Sequence, residues 1–262
     1  MAARSLFLKF GDTLASAVQL VLYSFWLLPI PVLAAVAVVM YRRKQHSLYL
    51  TFWAYICFQS IGLVIEFICK LVSYKAYFYA YWISSGLTAL AIVLLLRTVF
   101  VRFLESYPSL DTVRRYGFEF AVSAIWLTAL AMNLGFMSSQ AWPQKIARAG
   151  LIVSFTETAV FVFVLITSLI LGIRWKSTYC GIATGLGLLG AADLVVYTGL
   201  SWVSSFSQPA IIGSWIETLS FDVAVAIFAF YFLPAPVPET VTTDVRPELL
   251  EWAESMRGAV RK

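Results

Sequence analysis

The chain has 262 residues, 61% of them hydrophobic and 13% charged, with a mean hydropathy of +0.83. Soluble domains lie nearer about one-half apolar and one-quarter charged, so this composition excludes a single water-soluble core and reads as an integral membrane protein. The net charge of +5 does not point to nucleic acid, because the basic residues fall between apolar runs, where they report orientation.

A helix needs about 20 apolar residues to cross the hydrocarbon core, and seven stretches qualify. They are residues 14–41, 47–70, 77–104, 118–137, 145–175, 178–203 and 209–233. The first contains Pro29 and Pro31 and is expected to kink there. It reads as a retained helix, not a signal peptide: cleavage after "LAAVA" would leave "YRRK" outside, against the charge rule. His46, the single histidine, falls in the turn that follows and reads as a solvated residue.

The second span carries Cys57, Cys69, Glu66 and Lys70. The two thiols are roughly 18 Å apart along one helix, and Cys180 lies on another span, so all three are expected as small buried residues without disulfides. Lys70 stands at i+4 from Glu66 and can pair with it. The third span opens with Tyr74, Tyr77, Tyr79, Tyr81 and Trp82, rings that suit the headgroup level, and carries Arg97 near its other end. Arg97 can reach Glu119 at the start of the fourth span or Asp222 on the seventh, and the depths favour an Arg97–Asp222 pair.

The sixth span contains "GLGLLG", the letter pattern of a dinucleotide-binding turn. That fingerprint works only where a strand turns into a helix, so that free amides face a pyrophosphate. Here apolar residues flank it on both sides, and lipid commits every amide to the helix ladder. Gly181, Gly185, Gly187 and Gly190 therefore read as a small-residue surface for close helix packing.

The basic residues set the expected direction. Arg42, Arg43, Lys44, Arg102, Arg114, Arg115, Arg174, Lys176 and the tail's four lie at one set of ends, against six at the other. This predicts the amino terminus outside and the carboxyl terminus in the cytoplasm. Residues 1–233 form the membrane domain, and residues 234–262 a cytoplasmic tail whose "RPELLEWAESMRGAV" reads as a short amphipathic helix on the membrane face. The tail is too short for an output domain, so a signal would leave through a membrane or cytoplasmic partner protein.

With one peripheral histidine, a bis-histidine haem, a histidine-rich zinc site and a Ser–His pair at depth are excluded. The seventh span has no lysine for a retinal-type Schiff base. An enzyme is disfavoured, and no metal or other cofactor is expected. What remains is intramembrane charge, which is costly and marks function by default. Glu157, Asp193 and Glu217 lie at similar depth on three consecutive helices. They suggest a pocket for a cation, an amine or a proton, or else three separate carboxyls bonded to Tyr197, Ser154, Ser214 or helix carbonyls. Glu217 and Asp222 are about 140° apart around one helix and cannot share a face.

The stretch "FYAYWISSGL" (78–87), with "YLTFWAYICFQ" (49–59) before it, resembles uncharacterised small bacterial seven-helix membrane proteins. The likeness covers spans two and three, and the remainder by hydropathy. It implies a bacterial inner-membrane location and an all-α seven-helix topology, and carries no functional residues. The combined expectation is a receptor- or sensor-like bundle that takes a small cationic ligand from outside. No internal repeat relates spans one to three with five to seven, which favours this reading over a transporter. A small transporter or channel, which the carboxyl layer would suit, and an accessory membrane subunit, favoured if the carboxyls point to separate neighbours, remain open.

Overall fold

Long runs of Leu, Ala, Val, Ile and Phe leave a backbone in lipid no partner but itself, and helices are the result. The computed structural model describes residues 24–105, 107, 110–134, 142–172, 178–202 and 207–234. Among these the chain is all helical: α1 (Pro29–Arg42), a 3-10 turn (Gln45–Ser47), α2 (Leu50–Val72), α3 (Tyr74–Leu104), α4 (Asp111–Leu134), α5 (Trp142–Ile170), α6 (Thr178–Trp202) and α7 (Ser207–Phe232). The front of the expected first span and the expected tail helix lie outside the described residues.

Among the described residues six helices are long and apolar enough to cross a membrane; the first of these runs Ser24–Arg42 and includes α1. The sequence suggests seven. The exception is α4, which has the length, at 24 residues, but opens with Asp111, Arg114, Arg115 and Glu119. At 31 residues α3 is about 46 Å long, well beyond a hydrocarbon core of about 30 Å, a mismatch that tilt or projecting ends must absorb. Ser73 separates it from α2: the residue is extended, and its hydroxyl accepts the Ala76 amide at 3.1 Å. At Leu28, just before Pro29, the helical assignment is interrupted although the residue keeps helical dihedrals, consistent with a proline that donates no hydrogen bond.

Consecutive helices pack side by side, and α1 closes the ring against α7, while α3 also meets α5 and α6. The most interior helix is α6, with 56% of its apolar span buried against 17% for α2. Its glycines explain the position. A Cβ added at Gly181 would stand 2.4 Å from the Tyr231 ring, and one at Gly185 2.3 Å from Phe228, both on α7. On the α5 side, Gly187 faces Phe161 at 2.5 Å, and Gly190 faces the Glu157 Cβ at 3.2 Å and the Thr158 amide nitrogen at 3.3 Å. The nucleotide-like letters are thus a two-sided packing surface, as expected.

The end of the bundle near Arg43 is tied by polar contacts. The Arg43 guanidinium donates to the carbonyls of Phe232 (3.2 Å), Leu233 (3.1 Å) and Pro234, joining the end of α1 to the end of α7. Those last carbonyls have no donor within the helix. Arg102 donates to the Tyr179 hydroxyl at 3.1 Å, the Tyr107 hydroxyl to the Leu171 carbonyl at 2.6 Å, and Trp53 to the Ala37 carbonyl at 3.1 Å. Beneath them Phe52 stacks on Phe232 at 4.8 Å and meets Phe228 edge-on at 5.0 Å.

His46 departs from the expected solvated turn: its ring lies 5.0 Å from Tyr41 and 5.9 Å from Trp53. Its Nδ1 is buried with no hydrogen-bond partner among the described residues. The turn folds the imidazole back onto the aromatic faces of α1 and α2. Cys180 is buried, whereas Cys57 and Cys69 are half-buried, so only the first matches the expected burial.

The glycine surface gives a graded prediction. Gly185→Ala pushes a methyl into Phe228, a ring with 1% exposure that has nowhere to swing, and should cost about 1–3 kcal/mol of stability. Gly86→Ala meets nothing within 4 Å and should be neutral or stabilising by up to about 1 kcal/mol. Thermal unfolding of the detergent-solubilised variants checks both. Equal melting temperatures would mean that α6 and α7 are not in contact at Gly185.

Candidate functional site

Glu157, Asp193 and Glu217 stand near the middle of α5, α6 and α7. Because Gly190 lets α5 approach α6 at the position of Glu157, the first two carboxyls are drawn together. Asp193 lies within electrostatic range of Glu157 on one side and Glu217 on the other. Asp193 thus stands between the other two, and among the described residues no three His, Cys, Asp or Glu side chains are grouped closely enough to hold a metal ion. Glu157 is the most deeply placed, at 4% exposure.

Tyrosines complete the cluster. Tyr197, one turn after Asp193 on the same face of α6, feels all three carboxyls and stands within hydrogen-bond reach of Tyr81 on α3. Tyr81 also lies in the field of Glu217 and Asp193, so it belongs to the cluster and not to the interfacial belt where the sequence placed it. Tyr55 on α2 faces Glu157 and Asp193. Its hydroxyl lies near the Gln59 amide without a regular hydrogen bond, and that amide donates to Thr88 Oγ1 at 3.1 Å. Gly150 makes room for Tyr197: a Cβ there would fall 2.4 Å from its ring.

Among the described residues, no hydrogen bond joins Glu157, Asp193 or Glu217 to another side chain. The Ser154 hydroxyl donates to its own helix, to the Leu151 carbonyl at 3.3 Å. Glu157 is buried, whereas Asp193 and Glu217 are half-buried.

The other charges fall differently from the sequence expectation. Arg97 pairs with Glu119, Nε donating to Oε1 at 2.7 Å, and not with Asp222. The two side chains are both about half exposed on the outer faces of α3 and α4, and depth along the helices gave no knowledge of that rotation. Asp222 lines a groove between α1 and α7, and both its carboxyl oxygens are buried without a hydrogen-bond partner among the described residues. Lys70 places its ammonium over the rings of Trp26 (5.0 Å) and Tyr77 (5.8 Å). The described ion pairs are Arg97–Glu119, Arg102–Glu105 and Arg114–Asp111, so the expected Glu66–Lys70 pair does not form; Glu66 turns instead toward the Ser84 hydroxyl.

The charge assignment is checked by a mutant cycle. Arg97→Leu leaves Glu119 unpaired and should lower the melting temperature. Adding Glu119→Leu should recover part of that loss, because an unpaired charge beside lipid is worse than none, whereas adding Asp222→Leu should not. Recovery with Asp222→Leu alone would restore the Arg97–Asp222 pairing.

Comparison with protein-family models, with curated proteins and with solved structures finds no match for this chain.

Proposed function

We propose that this chain is a receptor- or sensor-like membrane protein that binds a small cation or protonated amine at Glu157, Asp193 and Glu217 and acts through a partner protein. The carrying observation is that Asp193 lies in the field of both Glu157 and Glu217, on the helices either side of it, beside Tyr55, Tyr81 and Tyr197. Like charges in a low dielectric resist joint ionisation, and a bound cation relieves that repulsion.

In this reading α4 makes the seventh crossing, and the ends bearing Arg42, Arg43, Arg102, Arg114 and Arg115 face the cytoplasm of a bacterial inner membrane. The amino terminus is then outside, and ligand reaches the cluster from the side opposite Arg43. A second reading, a proton- or cation-coupled transporter, is favoured by Tyr77, which lies in the fields of both Glu66 and Glu217. That arrangement extends the polar groups from the cluster toward the α2–α3 turn.

Topology is tested by labelling single cysteines in a background without the native three. A cysteine at 140–144 should react with an impermeant reagent from outside, and one at 175–179 only from inside. The reverse pattern would invert the bundle.

The site is tested by a thermal-shift screen of amines and monovalent cations. A ligand that binds only the folded protein raises its melting temperature by mass action. The gain should shrink as pH falls, because protons compete for the same carboxylates. Glu217→Gln keeps the shape, loses the charge and should abolish most of the shift, while Glu66→Gln should change it little. A variant Glu217→Gln that responds like the wild type would sink the binding site; uptake of the stabilising cation into vesicles would favour the transporter.

A further inference from the structure

A groove of about 670 Å³ runs between α1 and α7, lined by Leu28, Pro29, Val32, Ala226, Ala229 and Phe230 together with Asp222. Its volume lies in the range of small-molecule sites, roughly 300–1,000 Å³. It opens to the outer surface of the bundle, where Leu28 and Phe230 are exposed, so its entrance faces lipid. Every lining side chain but one is apolar, and the exception is a carboxyl whose two oxygens are both buried and unpartnered among the described residues. Protonation alone does not satisfy it, because a carboxylic acid also needs an acceptor for its hydrogen.

We propose that this groove binds a lipophilic monoamine drawn from the bilayer, with its ammonium on Asp222 and its hydrocarbon along α1 and α7. The apolar walls select the chain and the lone carboxylate selects the positive head. Asp222 lies ten residues before the end of α7, about 15 Å along the helix and far from either headgroup layer. A phospholipid amine would have to drag its phosphate to that depth, so the occupant carries an amine and no phosphate. The groove is independent of the carboxyl cluster, because Asp222 and Glu217 project about 140° apart around α7.

The test uses the full chain in a nonionic detergent and dodecylamine carrying a photoreactive diazirine in its tail. Crosslinks mapped by mass spectrometry should saturate and fall on α1 near Leu28–Val32 and on α7 near Ala226–Phe230. Unlabelled dodecylamine should compete at least about tenfold better than dodecanol, the factor expected for a hydrogen bond to a charged group. Asp222→Asn should weaken labelling by a similar factor, and Glu217→Gln should leave it unchanged. Ala226→Trp fills the groove while keeping the carboxyl, and should also suppress labelling, so a folding defect in one variant does not decide the matter. Equal competition by dodecanol, or wild-type labelling in both Asp222→Asn and Ala226→Trp, would overturn the proposal. So would labelling that never saturates, which would assign the groove to lipid tails or to another segment of this chain.

Discussion

The close approach of α5 and α7 to α6 governs the arrangement of this bundle. Where α6 meets its neighbours it presents Gly181, Gly185, Gly187 and Gly190, and the space of the missing side chains is filled by Tyr231, Phe228, Phe161 and the backbone around Thr158. In lipid there is no hydrophobic gain from joining helices, so van der Waals contact over such surfaces carries much of the association. The same contact sets the chemistry. Gly190 meets the Cβ of Glu157, and Asp193 follows Gly190 by three residues on α6, so the packing surface delivers two carboxyls to one place. Glu217 joins them from the helix that Gly181 and Gly185 admit. A bulkier α6 would hold three distant acids, each with its own surroundings.

Charge within the bundle is accommodated by two devices. Arg97 and Glu119 neutralise each other on the outer surface. Lys70 lies over aromatic faces, an arrangement worth more when desolvated. The Glu157–Asp193–Glu217 cluster and Asp222 have neither device. Groups so costly in a membrane are retained where they act, and this contrast is what separates the two candidate sites from the structural charges.

Composition and hydropathy made the helices legible, and with them the membrane class, because the length and apolarity of a span follow from bilayer thickness. The glycine surface was legible for the same reason: amides inside a lipid-embedded helix have no freedom to bind phosphate. Helix rotation was not legible. Depth along a helix suggested Arg97 with Asp222, yet rotation about the axes sends Arg97 to Glu119 and Asp222 into a groove of its own. The same ignorance put Tyr81 in the interfacial belt, although it reaches Tyr197. One feature of the sequence does bear on rotation: Asp193 and Tyr197, and likewise Tyr55 and Gln59, are four residues apart and so share helix faces. The short segments around His46 were misread because a turn can fold its side chains back onto the bundle, which hydropathy does not register.

The central claim is that Glu157, Asp193 and Glu217 form one site. Infrared difference spectroscopy of their carboxyl bands across a pH titration addresses it most directly, in the wild type and in Glu157→Gln, Asp193→Asn and Glu217→Gln. Coupled groups titrate as a set, not as individuals. The account predicts that removing Asp193 shifts the titration of both remaining carboxyls. Three bands that titrate independently, each vanishing with its own substitution and leaving the others unmoved, would contradict it.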